Sequence, residues 1–264
     1  MARRSSDSKI ENRRGVQSVD IGVSILKAMA KANGPLPLKE LSEAVGMASS
    51  NVHRYVSSFL QSGLLRQDPY TSHYDLGPLA LDIGLSALSR TNIVEIATPE
   101  MKRLAHEHHV MVALTVYSVQ GPTIVKLEQC SPPIITSIAL GSLLPMRSAT
   151  GRIFRAFLPE QVTKPAVDLE FKTRREKAAQ KAILKTIESS LENLRKTRLS
   201  FIDVDVLPHL QAVASPILNF HGEASAVLSV TGENEKLDDP DHPALKDLLE
   251  TTTALSYHLG FKDT

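Results

Sequence analysis

Two serines, an amide, an imidazole and a guanidinium cluster at Ser49, Ser50, Asn51, His53 and Arg54, with Ser57 and Ser58 one turn further on. Among them Val52, Tyr55 or Val56, Phe59 and Leu60 recur at helical spacing. A helix with that stripe buried turns Ser50, Asn51, His53, Arg54, Ser57 and Ser58 outward. Such a face can read a DNA major groove. Asparagine pairs bidentately with adenine and arginine with guanine, while short serines let the backbone approach and donate to phosphates. Arg66 and His73, on the strand-like runs that follow, would touch the flanking backbone. The blander reading is a helical bundle with a polar outer face, since helix-turn-helix geometry also occurs in domains that bind only protein.

A second set of residues lies further along the chain. Ser229 and Thr231 alternate in a strand-like run, so their hydroxyls share one face. Leu210, Ala212 and Ala214 offer an apolar wall. Ser148 or Thr150 can cap a helix at Gly151-Arg152, whose free N–H groups and dipole suit a carboxylate. Gly151 permits close approach, and Arg147 or Arg152 can add charge. Read blandly, Ser229 and Thr231 are ordinary strand residues, since threonine favours strands.

Other clusters lead to less. His106, His108 and His109 surround Glu107, but the pattern is not H-E-x-x-H and no cysteine lies near. No metal and no cofactor is expected. Cys130 has no thiolate-stabilising motif around it. The G-x-S-x-G, G-x-G-x-x-G and P-loop patterns are absent.

A chain of 264 residues with 42% hydrophobic and 22% charged residues is ordinary globular protein, one large or two modest domains. One cysteine excludes an internal disulfide framework and points to a reducing cytosol. No apolar run approaches the ~18 residues of a membrane span, and the basic start lacks the apolar core of a secretory signal. Residues 1–78 carry 10 Lys/Arg against 7 Asp/Glu, a net +3, whereas 79–264 carry 20 against 22, a net −2. That asymmetry fits a nucleic-acid module in front of a neutral body.

The elements that must hold these residues can be traced. Residues 1–15 read as a disordered basic arm. Val19, Val23, Leu26 and Ala30 give a first helix over Ser18–Ala32, stopped by Asn33-Gly34-Pro35. Leu38, Leu41 and Val45 give a second, Gly46 a tight turn, and Ser49 or a neighbour caps a third, ending at Gly63. Two short strands around 68–72 complete a winged helix-turn-helix over 16–78. A linker helix covers 79–92. From 93 to 264 the pattern mixes helices, near 93–109, 150–158, 172–197 and 243–259, with strands near 110–119, 123–129, 134–140, 209–218 and 224–230. Antiparallel strands covered by helices make this part α+β.

The run Leu38-Lys39-Glu40-Leu41-Ser42-Glu43-Ala44-Val45-Gly46-Met47, followed by Asn51-Val52-His53-Arg54 and Ser62-Gly63-Leu64-Leu65, resembles the IclR family of bacterial transcriptional regulators. Gly141-Ser142-Leu143-Leu144-Pro145-Met146 with Ser148-Ala149-Thr150-Gly151-Arg152 resembles that family's signature before its effector-domain helix. Ala212-Val213-Ala214-Ser215-Pro216-Ile217, Gly222 and Leu228-Ser229-Val230-Thr231-Gly232 resemble its last strand pair. The resemblance spans Val16 to Leu259, in order and spacing. It implies a GAF-like effector-binding domain, dimers pairing into tetramers, a small organic or aromatic acid as effector, and repression or activation of a catabolic operon. It carries over Gly151, Leu210, Ser229 and Thr231 as effector contacts. Asp203 stands where the family often has an acidic residue, and Ala212 where many members have a cysteine.

The expected molecule is therefore a cytoplasmic, ligand-responsive regulator on a palindromic double-stranded operator, and not an enzyme. The alternatives are a small-molecule enzyme with a GAF-like domain, against which no nucleophile–base pair stands out, and a scaffold that binds only protein.

Overall fold

The computed structural model describes residues 16–32, 34–172, 177–201, 210–233, 237, 239 and 241–263. The expected arm 1–15, Asn33 of the first helix stop and Asp203 lie outside them. The chain divides into two compact units, Met1–Arg90 and Thr91–Thr264.

In the first unit, α1 (Gln17–Lys31), α2 (Leu38–Val45) and α3 (Ser49–Ser62) precede β1 (Leu65–Gln67), β2 (Tyr74–Leu76) and α4 (Pro78–Ser89). Gly46 closes α2 at φ +66° and Met47 N–H returns to the Ser42 carbonyl, a left-handed cap that any Cβ would strain. This turn sets α3 against α1 and α2 around Ile25, Met29, Leu41, Val52 and Val56. Leu65 and Tyr74 extend that core into the antiparallel wing β1–β2. The wing turn is built by Asp68, whose carboxylate accepts the N–H groups of Tyr70 and Thr71 at 2.9 and 2.8 Å. The unit is a winged helix-turn-helix.

The second unit begins with α5 (Ile93–His108), the hairpin β3 (Met111–Ser118) and β4 (Gly121–Glu128), then α6 (Ala149–Phe157), α7 (Glu160–Lys172) and α8 (Lys177–Thr197). It closes with β5 (Ser200–Phe201), β6 (Leu210–Leu218), β7 (Ala224–Glu233) and α9 (Pro243–His258). The strands form one antiparallel sheet in the order β4-β3-β7-β6-β5. On one face Val112, Leu114, Val213, Leu228 and Val230 pack against Met101 and Leu104 of α5 and Leu245, Leu248 and Leu255 of α9. On the other, Ala214 and Val227 meet Ile153 and Phe154 of α6, which is backed by α8. This is the α+β architecture read from the sequence.

Three local expectations are corrected. Residues 134–140 form no strand, because Pro132 and Pro133 supply no ladder donors and Ile135 projects into solvent. Instead 141–144 lines the free edge of β4, with Gly141 N–H donating to Ile124 O and Leu144 N–H to Pro122 O. The stretch 172–197 belongs to α8 from Lys177, and a separate α7 precedes it. Pro165 inside α7 lacks a ladder N–H and reads as a breaker. Finally, Ser49 does not cap α3. Ala48 occupies that position with no side-chain hydrogen bond, and Ser49 is the first helical residue.

Candidate nucleic-acid interface and ligand cavity

Ser49, Ser50, Asn51, His53, Arg54, Ser57 and Ser58 are all exposed on α3, opposite buried Val52 and Val56. With no side chain capping α3, its first amides stay open to an anion, and no acidic residue sits in its first turn. The hydroxyl of Ser57 donates to His53 O at 2.8 Å and that of Ser58 to Arg54 O at 3.2 Å, so both serines are occupied along their own helix. Asn51 and Arg54 also line a groove of about 570 Å³ with Gln17, Ser18 and Ile21 of α1.

The two wing residues stand differently. Arg66 pairs with Asp75 across the ladder at 2.6 Å while staying largely exposed, and it holds the Asp75 carboxyl below the usual range. His73 is half-buried, and its carbonyl accepts Asp68 N–H at 2.9 Å where the turn closes. The wing tip instead projects Tyr70, 95% exposed, which the sequence reading passed over. Its only signal is an aromatic ring inside a turn that Asp68 pins, where nothing can cover it.

In the second unit Ser148, Thr150, Ala212, Ser229 and Thr231 come together around one cavity of about 290 Å³. Its floor is the α6 side of the sheet. Thr231 lies opposite Met111 and Ala212, and Ser229 opposite Ala113 and Ala214. Ser229 Oγ reaches the Ala113 carbonyl at a long 3.5 Å, while the Thr150 and Thr231 hydroxyls have no hydrogen-bond partner among the described residues. Ser148 caps α6 by accepting Gly151 N–H at 3.1 Å. The amides of Ala149 and Thr150 remain unbonded among the described residues, at the positive end of the helix dipole. The roof is Ser137, Ile138, Ser142, Leu143, Leu144 and Pro145, none of them foreseen. Ser137 and Ile138 belong to the stretch that was expected to be a strand, and Ser142 to Pro145 follow it.

Two expected contacts lie off this cavity. Gly151 faces its own chain, since a Cβ there would fall 2.4 Å from Pro145 O and 2.5 Å from Met146 Cα. The space that glycine leaves is taken by backbone, not by a ligand. Leu210 packs beside Met111, Cys130 and Ile134, behind the cavity wall. Of the two candidate cations, Arg147 lines the cavity. Arg152 turns away, donating to Arg147 O and Phe201 O.

Of the histidine cluster, His108 joins α5 to α9, while His106 and His109 are exposed. Glu107, His108 and Asp247 bring ligand atoms within 4.8 Å of one another. However, both Asp247 oxygens accept from Arg103 at 2.7 Å, and His108 Nε2 shares one of them at 2.8 Å. A guanidinium in that space repels a cation, so the chemistry there is an ion-pair clasp.

Comparison with known proteins adds to this geometry. Residues 18–69 match the IclR helix-turn-helix domain model, and residues 85–257 match the model for the bacterial transcriptional regulator IclR C-terminal domain. The acetate operon repressor of Salmonella typhimurium is 29% identical over 227 residues, 85% of this chain and 82% of that protein. The transcriptional repressor IclR of Escherichia coli is 29% identical over 230 residues, with the same coverage of 85% and 82%. The crystal structure of Pseudomonas aeruginosa HmgR superposes with a TM-score of 0.81 at 32% identity, covering 94% of this chain and all of that one. Among the described residues, no helix is long and apolar enough to cross a membrane.

Proposed function

Because the chain belongs to the IclR family of bacterial transcriptional regulators, we propose that this DNA-binding regulator senses a small organic acid in the cavity of its second unit and so controls a catabolic operon. It is a regulator and not an enzyme. The observation that carries the sensing is the Ser148-capped start of α6. Two open amides meet the hydroxyls of Thr150, Ser229 and Thr231 in a cavity that Met111, Ile124, Ile138, Leu143 and Leu144 also line. Fixed donors in a small, largely apolar-lined space favour a carboxylate. A family relative named for repressing an acetate operon supports a catabolic target.

On the DNA side, Asn51 and Arg54 read base edges while Ser49, Ser50, His53, Ser57, Arg66, His73 and Tyr70 position the module on phosphates. The basic arm 1–15 adds charge near the duplex. Asp203 is a further effector contact on the family pattern. The working form is a homodimer, pairing into tetramers, in the cytoplasm. A symmetric dimer places two α3 helices on a palindrome with half-sites roughly 34 Å apart or a multiple of that. The linker over 79–92, of which α4 forms the part up to Ser89, joins the 16–78 domain to the 93–264 domain. The acid must bind one spacing of the two DNA-binding modules better than the other, since only differential affinity shifts the population.

One assay tests both halves: operator affinity of the full chain on its own upstream DNA, over a salt series, with and without a panel of small acids. Asn51→Ala and Arg54→Ala are each expected to lose ~1–3 kcal/mol of specific binding. Ser229→Ala with Thr231→Ala keeps operator affinity but abolishes the response to the active acid. Wild-type affinity in both α3 variants removes the recognition reading, and a wild-type acid response in the double variant removes the cavity reading.

A further inference from the structure

Two hollows flank the turn that leads into α6. The inner one is the cavity described above. The outer one is a groove of about 370 Å³ whose far side includes Ala166, Leu169 and Glu170 of α7. The partition between them is Leu143, Leu144, Pro145 and Arg147, which line both. Among the described residues lining the inner cavity, Arg147 is the one that carries a charge. Its side chain is only 20% exposed, so its charge must be met from inside the protein.

Glu170 meets it, but loosely. Its Oε1 lies 3.8 Å from Arg147 Nη1, beyond hydrogen-bond distance. Its Oε2 is committed elsewhere, accepting Met146 N–H at 2.6 Å. Burial pushes the Glu170 carboxyl up from its ordinary pKa. No other carboxylate lies within ion-pair distance of Arg147 among the described residues. Arg147 therefore has a distant counter-ion and lines a cavity whose other described lining residues are uncharged.

We propose that Arg147 is the residue that makes this cavity select anions, and that Glu170 is the resting counter-ion it exchanges for the bound acid. The proposal rests on the cavity being the effector site and names the group that sets its ligand class. A carboxylate beside the α6 amides can take a direct, charge-assisted bond from Arg147, stronger than the 3.8 Å pairing it replaces. Glu170 competes for the same cation, so it lowers acid affinity in the wild type. The exchange also reaches α7, because the carboxylate that releases Arg147 is the one gripping Met146 N–H.

The test compares matched acids and amides of equal shape: benzoate with benzamide, phenylacetate with phenylacetamide, and propionate with propionamide. Dissociation constants are measured by calorimetry on the full chain, with thermal unfolding to confirm that each variant folds. In the wild type at least one acid binds more tightly than its amide. Arg147→Gln weakens that acid by about 10- to 100-fold and leaves the amide unchanged, so the preference vanishes. Arg147→Lys, which keeps charge without the fork, retains part of the preference. Glu170→Gln, which can still accept Met146 N–H, tightens the acid several-fold. If no acid outbinds its amide in the wild type, or Arg147→Gln keeps the wild-type ratio, the proposal is overturned. In the second case, a Ser229→Ala, Thr231→Ala variant that loses both ligands leaves the cavity reading standing. Binding untouched in that variant as well removes the cavity reading with it.

Discussion

At Gly151 a methyl group has nowhere to go. The obstructing atoms are the Pro145 carbonyl oxygen and Met146 Cα, both backbone, so no rotamer change relieves the contact. Alanine would raise helix propensity by up to ~1 kcal/mol. Forcing main chain apart costs ~1–3 kcal/mol, and the turn can only relieve it by moving. The net expectation for Gly151→Ala is a loss of about 1–2 kcal/mol, read as a lower urea midpoint at unchanged slope. The same turn carries Arg147, so acid affinity should fall with stability. An unchanged midpoint would show that 145–147 yields freely and that the glycine has no packing role. The sequence marks this residue correctly as one where something comes close. It cannot say what, because the intruding carbonyl belongs to a turn whose path depends on α7. The hydroxyl pair Ser229 and Thr231 is readable for the opposite reason: strand alternation is local, and one register step fixes which side both occupy.

Among the elements, α5 and α9 are held by a clasp as well as by their shared core. Arg103 donates to Asp247 through two bonds of 2.7 Å, to Glu100 and Glu107 on its own helix, and to Thr251 at 3.0 Å. The Arg103 guanidinium, with help from His108, holds the Asp247 carboxyl down from 3.8 to about 2. A carboxyl depressed by folding adds stability above its unfolded pKa and loses it as pH falls through the folded one. The loss should therefore run from about pH 4 to about pH 2. Arg103 is about a third exposed, and with solvent screening the clasp contributes about 1–2 kcal/mol. Asp247→Asn removes that pH dependence, checked by unfolding free energies from pH 6 down to 2. A variant with the wild-type acid profile would place the dependence elsewhere. Helices such as α5 and α9 are legible in sequence because their apolar period is local. Failures occur where a long-range partner decides. Ile134 to Leu140 has strand-like composition, but residues 141–144 occupy the β4 edge instead. α7 hides behind Pro165, and with it the link from Glu170 to Met146, 24 residues apart in sequence.

For the whole molecule, the decisive feature is a helix whose apolar side chains the described residues of its own unit leave exposed. Leu79, Leu81, Ile83 and Leu85 of α4 are all exposed, Leu81 at 63%, and Asp82 is its only charged residue. Val16, Val19 and Val23 are likewise exposed at the start of the same unit. An apolar helix left bare in water costs about 25 cal/mol per Å² of surface, which a second copy can remove. Self-association also fits the palindromic operator proposed above, since a two-fold axis repeats one patch on both subunits. Leu81→Gln with Leu85→Gln keeps helix propensity and solubility while deleting the apolar face. The expected result is a shift from dimer to monomer in sedimentation. Operator binding should weaken with it, and its salt dependence should fall to about half the wild-type slope, because that slope counts phosphates neutralised and a monomer covers one half-site. A double variant that stays dimeric with full operator affinity would assign the pairing surface to another part of the chain. A monomer that keeps the full slope would mean that one module alone makes every phosphate contact, and the two-fold reading of the operator would go with it.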